Sequence, residues 1–588
     1  MNDESLPQEA ARRSFRNRSW RQLSANPTLC RLLEEAGAGP ASVVLSARGM
    51  NPAEAASFIA PRVIDLLPSP WFFRDMEAAA ERIAFAVLED ERICVWGDYD
   101  VDGATSSAIV RRYLRDCGIE AGIYVPDRVL EGYGPNPEGL AMLREEGIDL
   151  VVIVDSGTVA FEALDAAKAC GLDVVVLDHH APEDALPEAR ALVNPNRKDQ
   201  EPGYGQLCAA GVAFILVRAL EAKLVNAGFF ALRKAPDPMA MADLVALGTV
   251  CDVVPLTGIN RAFVADGLRT MSRRGNAGIR ALCQVAGLFR DHRAWDLGFV
   301  LGPRINAGGR IGQSTAGARL LFSEDDEECA RLAKALDLWN RERQEIERVC
   351  VEEAKAAIEG RGGAEGFAIA ASSEWHEGVV GIVASRLKDA YDLPSFCFSV
   401  TDGRAKGSGR GVPGFNLGQA VIEAKRAGIL TKGGGHAMAA GVSCEVGRLK
   451  EFAEFMRTKI RDSGFLQAGI VTTIDAEIAP QQATVGLADA MALLEPYGQG
   501  NPAPRFLIRG LSVVRAGSAK ENHLKIELAG EGGTRIEAPM FGGAGTPFGE
   551  MMRDAVGHEV DVVASLKVDE WRGERKVRLT LEDARWAE

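Results

Sequence analysis

Three aspartates on alternate residues, Asp98, Asp100 and Asp102, crowd the segment Gly97-Asp98-Tyr99-Asp100-Val101-Asp102-Gly103, directly after the apolar run Ile93-Cys94-Val95-Trp96. The apolar run reads as a buried β-strand. Carboxylates packed at the end of such a strand repel one another, and a cation among them relieves that repulsion. Taken alone, the run has an alternative reading as an acidic turn facing solvent.

The same arrangement recurs. Residues 150–154 (Leu-Val-Val-Ile-Val) lead into Asp155-Ser156-Gly157, and residues 174–177 (Val-Val-Val-Leu) into Asp178-His179-His180. A less regular case is the apolar stretch 244–250, read as a further strand, which delivers Cys251-Asp252 before Val253-Val254-Pro255. In α/β sheets, ligands gather beyond the carboxyl ends of parallel strands. Four such ends carrying Asp or Asp-His point to one site assembled from distant sequence. The chain has only seven histidines, so an adjacent pair after an acid is a pointed use of a scarce residue. A neutral imidazole beside carboxylates suits Mn²⁺ or Zn²⁺, whereas carboxylates and water alone suit Mg²⁺. A helix-capping or turn role remains the alternative for any one of these histidines.

At 588 residues the chain exceeds a single core, so several domains are expected. No apolar run approaches the roughly 20 residues of a membrane span. Residues 1–22 mix acids with Arg12, Arg13, Arg16, Arg18 and Arg21 and carry no apolar signal region, which reads as a disordered basic arm. The eleven cysteines form no Cys-x-x-Cys pair, and Cys94, Cys251 and Cys397 sit inside apolar runs. Reduced, buried thiols and a cytoplasmic location fit that pattern. A net charge of −15 leaves a polyanionic partner open, because bound cations offset an acidic centre. The local basic candidates are Arg404, Lys406 and Arg410 in one Gly-rich segment, with Arg128, Arg304 and Arg310 elsewhere.

From about 25 to 75 the chain reads as helical, punctuated by prolines. From 76 to 323, apolar runs alternate with helical patterns at 104–117, 137–146 and 158–170, the mark of βαβ units in a mostly parallel sheet. Residues 324–361 read as a long charged helix bridging two lobes, with an ordinary surface helix the alternative. A smaller α/β region follows at 362–465, with two Gly-rich segments at 406–410 and 433–437. Glycines there let a backbone approach a phosphate closely, with Ser408, Arg410 and His436 alongside; tight turns between strands are the alternative. Residues 466–588 show short alternating strands separated by turn residues, the pattern of a small β-barrel of OB type. Such a barrel can hold single-stranded nucleic acid or an oligosaccharide, or merely pack on the rest; Tyr497 and Trp571 are its candidate stacking aromatics.

Asp98–Gly103, Val154-Asp155-Ser156-Gly157, Asp178-His179-His180 and residues 248–255 resemble the four signature motifs of the DHH phosphoesterases. Further segments at 301–307, 375–381, 407–410, 434–437 and 497–502 are similar to those of the single-strand-specific 5′→3′ DNA exonucleases of bacteria. The resemblance runs in order from about residue 30 onward. It implies a DHH-type catalytic domain, a connecting helix, a DHHA1-type domain and an OB-type barrel. It also implies a two-metal site using Mn²⁺ or Mg²⁺, in which Asp98, Asp100, Asp102, Asp155, His179 and Asp252 are ligands and Asp155 bridges. His180 would contact the scissile phosphate, and all seven residues would be catalytic. Arg128 and Arg304 would bind phosphate, and Ser408, Arg410 and His436 would grip DNA near its 5′ end. The implied activity releases 5′-mononucleotides from single strands in recombination and repair. The implied partners are single-strand-binding protein and a RecQ-like helicase, with the chain a monomer. Ser156-Gly157-Thr158 and Gly308-Gly309 depart from the commoner family residues, and neither removes a ligand. A small-substrate DHH hydrolase and a non-catalytic scaffold are the rival readings; the additional motifs count against the first, and the full ligand set against the second.

Overall fold

In the computed structural model, which describes residues 14–127, 131–519, 522–571 and 573–587, the chain divides into two units. One comprises Ala60–Arg343 with Pro496–Pro502; the other takes the residues up to Ile59, Gln344–Glu495 and Ala503–Glu588.

From Ser14 onward, the segment expected as a disordered arm is ordered. Residues 1–13, with Arg12 and Arg13, lie outside the described residues, but β1 (Ser19–Gln22) pairs in parallel with residues 471–474. Trp20 Nε1 donates to Asp583 Oδ2 at 2.9 Å. Arg18 grips both carboxylate oxygens of Asp392 at 2.7 and 2.9 Å. Composition misled here because the acids that take up this basic charge lie hundreds of residues away.

The sheet of the first unit consists of β2 (Ile93–Trp96), β3 (Gly122–Tyr124), β4 (Leu150–Val154), β5 (Asp173–Leu177) and β6 (Ala191–Val193). The strands are all parallel, in the order β3-β2-β4-β5-β6. Every residue of β2 and β4 is buried, as expected for strands covered on both faces, and this explains their unbroken apolar runs. The chain moves outward from β2 to β3 and then returns to place β4 on the other side of β2. That reversal makes the carboxyl ends of β2 and β4 a topological switch point. Asp155 follows β4 directly, and Asp98 follows β2 after the single residue Gly97.

Five helices matter to the site: α1 (Val101–Asp116), α2 (Ala209–Asn226), α3 (Ala242–Cys251), α4 (Gly302–Ile311) and the 34-residue α5 (Asp326–Glu359). The stretch 244–250, expected as a strand, is the body of α3. A short, wholly apolar run fits a buried helix as well as a buried strand. Packing decides for helix: Gly267 of the neighbouring helix Gly258–Arg274 lies so close that an added Cβ would stand 2.3 Å from Ala246 Cβ. Asp252 therefore follows a helix end rather than a strand end.

In the second unit, β7 (Ala368–Ser372), β8 (Ser395–Thr401), β9 (Arg404–Arg410), β10 (Lys432–His436) and β11 (Ala439–Glu445) form a sheet in the order β10-β11-β9-β8-β7. Helix α6 (Glu377–Tyr391) packs on β8 and β9. The Gly-rich segments thus lie in strands, the second running at Ala437 into the turn between β10 and β11. Across β8, a Cβ at Gly407 or Gly409 would meet the rings of Phe398 and Phe396 at 2.4 and 2.3 Å. Those glycines make room for core aromatics.

The C-terminal strands are β12 (Val471–Ile474), β13 (Ala476–Glu477), β14 (Phe506–Ala519), β15 (His523–Ala529), β16 (Arg535–Glu537), β17 (Glu559–Trp571) and β18 (Glu574–Trp586). The pairings β14–β15–β16–β18–β17 and back to β14 close a five-stranded barrel, which leaves no open edge among those strands. The side chain of Trp571 lies outside what is described. Tyr497, expected in the barrel, falls in the segment that belongs to the first unit. There Leu256 N donates to Gln499 O at 2.7 Å. No helix among the described residues is long and apolar enough to cross a membrane. The eleven cysteines are free.

Candidate metal centre

Each acid of the centre is held by its own local device. Asp100 caps α1, its Oδ1 accepting the Gly103 N–H at 3.0 Å. Gly103 is required there, since a Cβ would come within 2.6 Å of Asp98. Asp102, in the first turn of α1, is 2% exposed, and its oxygens accept the Ala209 and Ala210 N–H groups at 2.7 and 2.9 Å. These donors open α2, where unsatisfied N–H groups and the helix dipole favour negative charge. Asp155 follows β4 with φ +60°, a conformation that costs a non-glycine residue energy and recurs at functional sites.

The Asp-His-His triplet follows β5. Asp178 is buried and accepts N–H groups from Thr158, His179 and His180, together with His180 Nδ1 at 2.7 Å. Asn196 and Asn194 donate to the carbonyls of His179 and His180 at 2.6 and 2.9 Å. So fixed, His179 Nε2 lies 3.3 Å from Asp155, 3.7 Å from Asp252 and 3.8 Å from Asp102.

Three sets of ligand atoms lie within 4.8 Å of one another: Asp98 with Asp100 and Asp155; Asp102 with His179 and Asp252; and Asp155 with His179 and His180. All seven residues expected at the centre are thus brought together, with Asp155 shared between two sets. Arg304 of α4 belongs to the same unit but is engaged, its Nε 3.0 Å from Asp337 Oδ1 and an Nη donating to Val300 O at 2.7 Å. Arg128 lies outside the described residues.

Ser408, Arg410 and His436 form a group of their own in the second unit. Ser408 and Arg410 share one face of β9, and His436 lies across Ala439 from Arg410 in the same row of the ladder. An added Cβ on Gly381, near the N-terminus of α6, would stand 3.1 Å from an Arg410 Nη and 3.4 Å from Ser408 Oγ. Arg410 is half-buried and donates to Gly409 O, with no carboxylate partner among the described residues. Burial holds its guanidinium below the ordinary arginine range.

The order of the parts matches known domains. Residues 92–249 match the DHH family N-terminal domain, 364–462 the DHHA1 domain and 474–583 the RecJ OB domain. The single-stranded-DNA-specific exonuclease RecJ of Dickeya dadantii is 38% identical over 86% of this chain and 89% of its own length. RecJ of Escherichia coli is 36% identical over 87% and 91%. The chain belongs to the RecJ family. The crystal structure of RecJ from Thermus thermophilus in complex with Mn²⁺ superposes with a TM-score of 0.80 at 30% identity, over 97% of this chain and 80% of that one. The Mg²⁺ complex gives 0.74 at 27%.

Electrostatics in this RecJ-family centre fit a divalent cation. Burial, with the charges of Asp102, Asp100, Asp98 and Asp252, holds the Asp155 carboxyl well above the usual range. Burial also raises Asp102, and burial with Asp102 and Asp100 pushes Asp252 up to about 8. These groups resist being charged together unless positive charge joins them. His179 Nε2 is the second sign: it is buried and makes no hydrogen bond, which is costly for an imidazole nitrogen unless a ligand takes it. His180 differs. Its burial acts against protonation, but the hydrogen bond and charge of Asp178 prevail and raise it to about 9.

Reading by residue type missed two members of this RecJ centre. Asp178 supports the histidine pair rather than facing the cluster; the only sequence signal for it was its place at the head of the triplet. Tyr133 places its hydroxyl 3.0 Å from the Asp155 carbonyl oxygen, and nothing in its sequence context marked it.

Proposed function

We propose that this chain is a single-stranded-DNA-specific exonuclease that hydrolyses phosphodiester bonds from the 5′ end, releasing 5′-mononucleotides in DNA recombination and repair. The observation that carries the reading is the Asp98–Asp100–Asp155 set beside the Asp102–His179–Asp252 set, with a buried His179 Nε2 that no hydrogen bond satisfies. Asp98, Asp100, Asp102, Asp155, His179 and Asp252 hold two divalent cations, Mn²⁺ or Mg²⁺. Such cations supply water activation and charge neutralisation at a phosphodiester.

The protein's own groups do the rest. His180, hydrogen-bonded through Nδ1 to Asp178, is placed to stabilise the phosphoryl oxygens as negative charge develops there. Arg304, fixed by Asp337, adds a second positive charge, and Arg128 a third. Ser408, Arg410 and His436 bind the strand near its 5′ phosphate; a guanidinium with no carboxylate partner among the described residues is able to pair with a phosphate. The functional parts are residues 76–323 for catalysis, 324–361 as connector, 362–465 for strand binding and 466–588 as OB barrel, with 1–75 an extension. The enzyme works as a cytoplasmic monomer alongside single-strand-binding protein and a RecQ-like helicase.

The test is cleavage of single strands labelled at the 5′ or the 3′ end, with Mn²⁺ or Mg²⁺, by the natural enzyme and by Asp100→Ala and His179→Ala. Early release of label from the 5′ end and its loss in both variants is expected. Undiminished cleavage by either variant refutes the metal assignment, and early release from the 3′ end refutes the polarity.

A further inference from the structure

Tyr133 sits in the metal centre the wrong way round for a packing residue. Tyrosines commonly bury the ring and leave the hydroxyl wet. Here the residue is 55% exposed, yet its hydroxyl turns inward. It donates to the Asp155 carbonyl oxygen at 3.0 Å and lies 3.3 Å from His180 Nε2. A phenol has one proton, and the Asp155 carbonyl takes it, which leaves the hydroxyl oxygen within hydrogen-bonding reach of Nε2 at the same time. On its other side, His180 Nδ1 is 2.7 Å from Asp178. The imidazole is therefore clamped at both nitrogens, and the same hydroxyl pins the peptide of Asp155, whose φ is +60°.

The loop around Tyr133 is built to hold this pose. Gly132 and Gly134 adopt φ of +92° and +78°, which no other residue type adopts without cost. Glu131 accepts from Tyr124 Oη at 2.5 Å and from the Asp127 N–H at 2.8 Å. The ring itself contributes little apolar burial, so the hydroxyl's two contacts are what the arrangement secures.

We propose that Tyr133 is a positioning residue for hydrolysis, its hydroxyl aiming the His180 imidazole and fixing the Asp155 main chain. This rests on the reading that His180 serves the phosphate in a nuclease. Tyr133→Phe keeps the ring and removes the contacts. On 5′-labelled single strands at saturating Mn²⁺, kcat falls about tenfold while KM and melting temperature stay within experimental error. A double-mutant cycle assigns the route: Tyr133→Phe costs less in the His180→Ala background than alone, the remainder belonging to the Asp155 contact. A natural kcat in Tyr133→Phe, or full additivity with His180→Ala, overturns the proposal. A second readout needs neither metal nor turnover. In metal-free enzyme labelled with ¹⁵N-histidine, the His180 ring signal, assigned by its loss in His180→Ala, shifts in Tyr133→Phe; an unmoved signal also overturns the proposal. Cleavage by the natural enzyme reports on the nuclease reading itself, so its failure is told apart from a failure of the Tyr133 assignment.

Discussion

His179 Nε2 stands 3.3 Å from Asp155 Oδ1 and forms no hydrogen bond with it. Both groups are fixed from behind, the histidine by the backbone bonds of the Asp178 bracket and the aspartate by its place after β4. The gap is that of two ligands turned toward a third body. Isothermal calorimetry is expected to show Mn²⁺ binding that weakens at least about tenfold in His179→Ala.

The same geometry sets activity against stability. Asp155 is buried among four like charges, so removing its charge relieves repulsion in the metal-free protein. Asp155→Asn is expected to raise the metal-free melting temperature, by roughly 2–4 °C, while abolishing cleavage. Differential scanning calorimetry and the strand assay check the two halves separately.

Asp252 gives the effect a pH dependence. Its folded value of about 8 lies above the ordinary value of 3.8, so the folded state holds its proton more tightly than the unfolded chain does. Its contribution to stability is complete below pH 4 and is lost as pH rises toward 8. Metal-free enzyme should therefore lose melting temperature between pH 5 and 8 more steeply than Asp252→Asn. The stabilisation given by added Mn²⁺ should be larger at pH 8 than at pH 6.

Val253, next to Asp252, carries φ +59° and is 66% exposed. A β-branched residue in the left-handed region is strained by about 1–2 kcal/mol, with little packing here to offset it. Asparagine tolerates this conformation. Val253→Asn is expected to stabilise the protein by about 1 kcal/mol in urea denaturation.

Arg410 has no carboxylate partner among the described residues. Arg410→Gln should leave the melting temperature unchanged within about 1 °C. It should weaken single-strand binding roughly tenfold or more, as expected for a charge-assisted contact to phosphate. Fluorescence anisotropy with a 5′-phosphorylated strand measures this, and equal loss on a 5′-hydroxyl strand would count against a 5′-phosphate role.

Much of the centre was legible because it is written locally. An apolar run followed by an acid marks a strand and what it presents, and β2, β4 and β5 lie close to where their composition places them. The misreadings share one cause. The run 244–250 is apolar throughout, so no period separates helix from strand, and the choice falls to Gly267 and the helix it carries. The glycines at 407 and 409 look like loop residues until Phe396 and Phe398 are seen to fill their places. Arg16 and Arg18 look like a free basic arm until Asp392 is found beside them.

By itself the sequence determined which groups this protein has for chemistry: alternating aspartates, an Asp-His-His triplet and a lone Asp252, each at the end of an apolar element. Residue type and short spacing carry that information, because capping, strand burial and charge repulsion act over a few residues. Tertiary structure alone decided how those groups are held: Asp102 on the N-terminus of α2, Asp155 shared by two of the three ligand sets, and Tyr133 turned hydroxyl-first onto His180. Those relations join residues 22 to 108 positions apart, and no local pattern encodes a contact that exists only once the sheet and its helices have closed around it.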